Sequence, residues 1–142
     1  MKTVGERIHT PQDVATLCRP IRRSRQEHFG VICIDDAHRV LCKKDLFVGV
    51  TDRCLVAIKM VAWFIASHKA SAVAIYHNHP SNVCSPSGPD DGTTRSLCEL
   101  CRVMGISFLD HVIITQDGYY SYREHERVIY DDTGCAYVSK ED

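Results

Sequence analysis

The sequence has no excess of either charge. Lysine and arginine number 17 against 18 aspartates and glutamates, a formal net charge of −1. No global basic field therefore pulls the chain to nucleic acid. It also lacks the strip of interleaved aromatic and basic residues used by single-strand binders. No apolar run is long enough to span a bilayer: the longest, Cys54 to Ser67, is interrupted by Lys59. Met1-Lys2-Thr3-Val4-Gly5-Glu6 holds no apolar leader core, so the expectation is a cytoplasmic protein without membrane association. Internal repeats and low-complexity tracts are absent. Cys98-x-x-Cys101 has no second Cys-x-x-Cys and no histidine pair to complete four metal ligands.

What is present suits one ordinary domain. The chain has 142 residues, 44% of them hydrophobic, enough to bury a core without staples. Eight cysteines are many for this length. Several lie inside apolar runs, which reads as reduced, buried use rather than a disulfide framework. One local charge cluster stands out: Arg19, Arg22, Arg23 and Arg25. It reads as a solvated face or as a contact surface for weak nucleic-acid association.

Local signals place the elements. Thr10-Pro11-Gln12-Asp13 combines an N-cap, proline at the first helical position and aspartate at N3. That helix should run to about Arg19, where Pro20 stops it. Phe29 to Ile34 reads as a strand covered on both faces, with Asp35 to His38 as its turn. Val40 to Val50 reads as a second extended segment, with a break near Lys43-Lys44-Asp45. Leu55 to His68 is a largely apolar, buried helix. Ala72 to Tyr76 is a further strand, and Asp90 to Met104 a helix closed by Gly105. Ile106 to Thr115 and Tyr119 to Tyr122 are strands joined by a turn at Gln116-Asp117-Gly118. The expected fold is α/β (α+β), a mixed sheet sandwiched by helices. Residues 1–127 form the domain and 128–142 a polar tail, of which about the last ten residues are expected to be loosely held.

The chemistry sits in His77-Asn78-His79-Pro80 and Ser87-Gly88-Pro89-Asp90. Side chains two apart on a strand share a face, so His77 and His79 can point together while Asn78 points away. Two imidazoles are half of a catalytic zinc site, and Asp90 is the nearest downstream carboxylate. Ser87-x-x-Asp90 also has a purely structural reading, a capping box for the helix that follows. By spacing alone both readings stand. For a general base, Glu27, Asp35 and Asp36 are comparable candidates. His111, in a strand of apolar residues, reads as a satisfied core histidine or as a group behind the site.

His77-x-His79, seven residues, then Ser87-x-x-Asp90 resembles the signature of the JAMM (MPN-plus) zinc metalloproteases. The HNHP form, Gly105-Ile106-x-x-Leu109-Asp110-His111-x-Ile113-Ile114 and Gly118-Tyr119-Tyr120-Ser121-Tyr122 are similar to the RadC-like JAB branch, from about Thr10 to about Arg127. The resemblance implies a cytidine-deaminase-like JAMM fold. It implies that His77, His79 and Asp90 ligate Zn2+, that Glu27 acts as general base, and that Ser87 donates a hydrogen bond to the oxyanion. It implies a protein or peptide substrate cleaved by metal-activated water. A DNA-repair-associated role and a metal-binding interaction module without turnover are the rival readings. Self-association into a homo-oligomer stays open. Ser81-Asn82-Val83-Cys84 departs from the family's usual loop. Cys84 there reads as a small loop residue or as a thiolate able to reach the metal.

Overall fold

The computed structural model describes residues 4–48 and 54–139, without the side chains of 54–57. Thr10 caps helix α1 (Pro11–Leu17) in a complete capping box with Asp13. The helix ends two residues before the expected Arg19. Pro20 then sits in a short 3-10 turn, Arg19–Ile21, since proline tolerates a first turn but not a helix interior. Strand β1 (His28–Ile34) leads through a turn into β2 (Val40–Val48).

β2 runs unbroken through Lys43-Lys44-Asp45, against the expected interruption. The irregularity appears instead as two register shifts in the β1–β2 pairing, which pass over Leu46 and Leu41. Bulges of this kind bend and twist a strand without ending it. Gly49 and Val50, expected to extend this strand, lie outside the described residues.

Helix α2 (Cys54–His68) is not the buried helix expected: among its described side chains only Val61 and Ile65 are buried, and Trp63 and Met60 are exposed, because only one face meets the sheet. It is followed by β3 (Ala72–Asn78), every residue of which is buried. Helix α3 (Gly88–Met104) begins at a Ser87–Asp90 capping box and ends at Gly105, whose φ of 72° lies in the left-handed region. β4 (Ser107–Ile114) and β5 (Tyr119–Ser121) complete a five-stranded sheet ordered β2-β1-β3-β4-β5. Only β3 and β4 pair in parallel, joined by the α3 crossover. One face of the sheet packs Val14, Cys18 and Ile21 of the α1 region on Ile32, Ala74 and Val112. The other packs Val61 and Ile65 of α2 and Leu97, Cys98 and Cys101 of α3 on Val31, Val73 and Ile75. The fold is the expected helix-sandwiched mixed sheet.

The stretch after Arg127 corrects the sequence reading. Within its described part, 128–139, it is folded rather than loosely held: β6 (Val128–Tyr130) and β7 (Ala136–Val138) form a hairpin. Val128 and Val138 enter the same buried cluster as α3 and Phe108. The polar turn residues between the two strands hid this pair of apolar anchors.

Candidate metal centre

Three elements meet at the C-terminal end of β3. Phe29 of β1 lies opposite His77 in antiparallel register, so Glu27, just before β1, is carried to the edge of that strand end. The crossover returns α3 over the same edge and presents Asp90 from its first turn. The result is a cluster of four of the five expected residues. His77 Nε2 and His79 Nε2 are 2.8 Å apart. Asp90 reaches both, with Oδ1 3.2 Å from His77 Nε2 and Oδ2 3.1 Å from His79 Nε2. Glu27, His77 and His79 offer donor atoms that all lie within 4.8 Å of one another.

The hydrogen bonds around the cluster fix the histidine tautomers. His79 Nδ1 is 2.8 Å from the Val83 carbonyl, an acceptor only, so Nδ1 carries the proton. Thr94 Oγ1 donates to the Asp90 carbonyl at 2.7 Å, so it accepts from His111 Nδ1 at 2.6 Å. His111 Nε2 then accepts from His77 Nδ1 at 2.8 Å. In the neutral rings each metal-facing Nε2 then carries a lone pair, and the two face each other and a carboxylate that is 1% exposed. Such a set repels itself unless a metal cation lies among its members or a proton on Nε2 is donated to Asp90. Two imidazole nitrogens and carboxylate oxygen are the donor chemistry of zinc and its neighbours in the transition series. Burial alone would raise the Asp90 carboxyl, yet the hydrogen bonds from His77 and His79 outweigh it and hold the group below the usual carboxylate range. His79 is raised in turn, chiefly by its bond to Asp90.

Ser87 is a capping residue in this structure. Its Oγ accepts from the Asp90 N–H at 3.2 Å, and its own N–H donates to Asp90 Oδ2 at 2.8 Å. The serine thus stands at the rim of the cluster, one hydrogen bond from the carboxylate that meets both imidazoles. Cys84 is exposed and is not among the donors that converge with Glu27, His77 and His79.

Sequence reasoning missed what holds the cluster together. Asn78, buried on the opposite face of β3, accepts the His28 N–H at 2.6 Å and donates to the Gln26 carbonyl at 3.0 Å. It therefore fixes the backbone on both sides of Glu27. A second brace comes from Asp45, which bonds His28 Nδ1 at 2.9 Å and Tyr76 Oη. Gly30 permits this: a Cβ there would lie 2.2 Å from the Tyr76 ring. Tyr122 stacks on His111 with a centroid separation of 4.9 Å and donates to Asp91 at the start of α3. Thr94 lies one helical turn after Asp90, so an i, i+4 reading could have found it. His111, open in sequence between a core histidine and a group behind the site, takes the second place through the strand order.

A second donor group, Cys33, Cys42 and His68, lies toward the other end of β1. Burial and the Cys42 neighbour hold the Cys33 thiol far above its ordinary range, which opposes thiolate ligation. Cys98 and Cys101 are likewise buried thiols pushed up to about 12, in line with apolar use.

The sheet order, the flanking helices and the histidine–carboxylate cluster define the class: an α/β domain with a candidate metal centre at one sheet end. The chain belongs to the RadC-like JAB domain family, whose sequence pattern matches residues 8–127. Similar curated proteins include a UPF0758 protein of Streptococcus gordonii strain Challis, 32% identical over 126 residues, which cover 88% of this chain and 56% of that protein. A UPF0758 protein of Streptococcus pyogenes serotype M49 is 31% identical over 124 residues, or 87% of this chain and 55% of that one. The chain spans about half the length of these relatives. Among the described residues, no helix is long and apolar enough to cross a membrane.

Proposed function

We propose that the domain is a zinc-dependent metallohydrolase of the JAMM type that cleaves an amide bond in a protein or peptide. The observation that carries this is the pair of Nε2 atoms 2.8 Å apart beside the buried Asp90 carboxylate. His77, His79 and Asp90 would hold the ion. When bound, zinc would act as a Lewis acid and lower the pKa of water to about 7. Glu27, half-buried where Asp90 is fully buried, keeps access to water and substrate. Its carboxylate takes the proton of the attacking water and passes it to the leaving amine. The Ser87 hydroxyl at the rim donates to the oxyanion that forms on the attacked carbonyl. Asn78 keeps the Glu27 backbone in place through both steps.

Zinc content measured by mass spectrometry tests the reading. The expected result is near-stoichiometric zinc in the wild type, and none in the double variant His77→Ala, Asp90→Ala. Glu27→Gln should keep the zinc and lose all cleavage that the wild type shows on a mixed peptide library. Full zinc in the double variant would remove the ligand assignment.

A further inference from the structure

Beside His79 lies a cavity of about 190 Å³ whose lining includes Arg22, Arg23, Arg25, Asn82 and Gln116, and no carboxylate. We propose that it is a specificity subsite for an acidic side chain next to the scissile amide of a peptide substrate. The inference rests on the metallohydrolase reading above and names its substrate class.

The charge is uncompensated. Among the described residues no aspartate or glutamate lies within ion-pair distance of Arg19, Arg22, Arg23 or Arg25, whereas Arg102 and Arg127 each have a partner. Four cations within seven positions repel one another, and Arg19, Arg23 and Arg25 are exposed, so packing of the core does not require them. An anion among them relieves the repulsion through charge-assisted bonds. The carrier segment is also built rather than loose. The Ile21 carbonyl accepts the Ser24 N–H at 3.0 Å, Ser24 Oγ bonds His28 Nε2 at 2.9 Å, and Asn78 grips the Gln26 carbonyl. A fixed backbone beneath the arginines leaves only their side chains to be ordered by a ligand.

Size and position select the ligand. Pockets for whole small molecules run to about 300–1,000 Å³, so this one fits a single side chain and not a nucleotide. No phenylalanine, tyrosine or tryptophan lines it, so it offers no row of rings of the kind on which single-stranded nucleic acid stacks. Since His79 forms part of its wall, the occupant sits directly against the hydrolytic centre. Arg22 and Gln116 also border a larger cavity of about 640 Å³ that adds Arg19. The two together make a cationic groove leading away from His79, suited to an extended chain. The carboxylate on the larger cavity's wall, Asp117, is engaged by Asn82 Nδ2 at 2.8 Å.

Fluorescence anisotropy on the full chain tests this, with and without zinc. The probes are a labelled hexapeptide with two adjacent glutamates, its glutamine and lysine counterparts, and a labelled 12-nucleotide single-stranded DNA, all at about 0.1 M salt. The glutamate peptide should bind at least tenfold tighter than the glutamine one. Arg22→Ala and Arg25→Ala should each weaken it about tenfold. Arg25→Glu should shift preference to the lysine peptide, an outcome that a misfolded variant cannot give. Equal binding of glutamate and glutamine peptides, or indifference to the arginine variants, would overturn the subsite. So would DNA that binds tighter than the glutamate peptide and is lost with the same arginines, which would assign the groove to nucleic acid. Glutamate selectivity in a chain that takes up no zinc would keep the anionic subsite and overturn the metallohydrolase reading instead.

Discussion

His111 shows how a residue that touches no substrate can set the chemistry of one that does. Its Nε2 accepts the His77 Nδ1 proton, and its own Nδ1–H is anchored on Thr94. The chain closes on the Asp90 carbonyl, so a histidine and a carboxylate of the same cluster are tied through two buried side chains. Partners of this kind fix ligand orientation and basicity, and their loss weakens metal affinity by about 10–100-fold. His111→Ala should therefore lower zinc affinity by about that factor in a chelator competition, with the fold retained. Unchanged affinity would mean that the strand backbone alone orients His77. Asn78 plays the matching part for Glu27. Both residues lie in sequence among the motif residues, yet neither declares its role there. The His-x-His spacing follows from strand alternation, whereas the His77–His111 contact depends on the parallel β3–β4 register, which pairs Ile75 with His111.

At the scale of elements, caps, stops and strand runs were legible from local signals, whereas the break expected at Lys43-Lys44-Asp45 and the burial expected of α2 were not found. The Thr10–Asp13 and Ser87–Asp90 capping boxes both form. The Gly105 stop and the apolar β1 and β3 runs also stand where their residues place them. The structural and chemical readings of Ser87-x-x-Asp90 prove compatible: one carboxylate caps the helix through the Ser87 N–H and meets the two imidazoles as well. What could not be read was long-range. The β6–β7 hairpin has three-residue strands around the polar turn 131–135, and its two buried valines gain meaning only from α3 and Phe108 beneath them. This hairpin should carry stability. Val138→Asp buries a charge without a partner and should cost about 3 kcal/mol in urea unfolding. A loss under about 0.5 kcal/mol, typical of surface positions, would show that the hairpin is peripheral to the core.

For the whole molecule, the cluster makes stability depend on pH and metal in opposite senses. Without metal, two groups act. Asp90 is held below the ordinary carboxylate range, so its contribution is present above about pH 4 and is lost as pH falls further. His79 is held above the ordinary histidine value by Asp90. Its contribution is full below about pH 6.5 and is lost as pH rises through the raised value. The metal-free chain therefore draws most from this site in mild acid. Zinc demands the reverse, because both Nε2 atoms must be unprotonated to bind it. At a free zinc concentration of about 100 times Kd, binding adds about 2.7 kcal/mol. For a chain of this size that is on the order of 10 °C in Tm. The expected melting curves show little difference between zinc and chelator at pH 5, and a rise of about that size with zinc at pH 8. An equal zinc increment at both pH values would rule out the paired imidazoles as ligands, since only carboxylate ligands stay ionised at both.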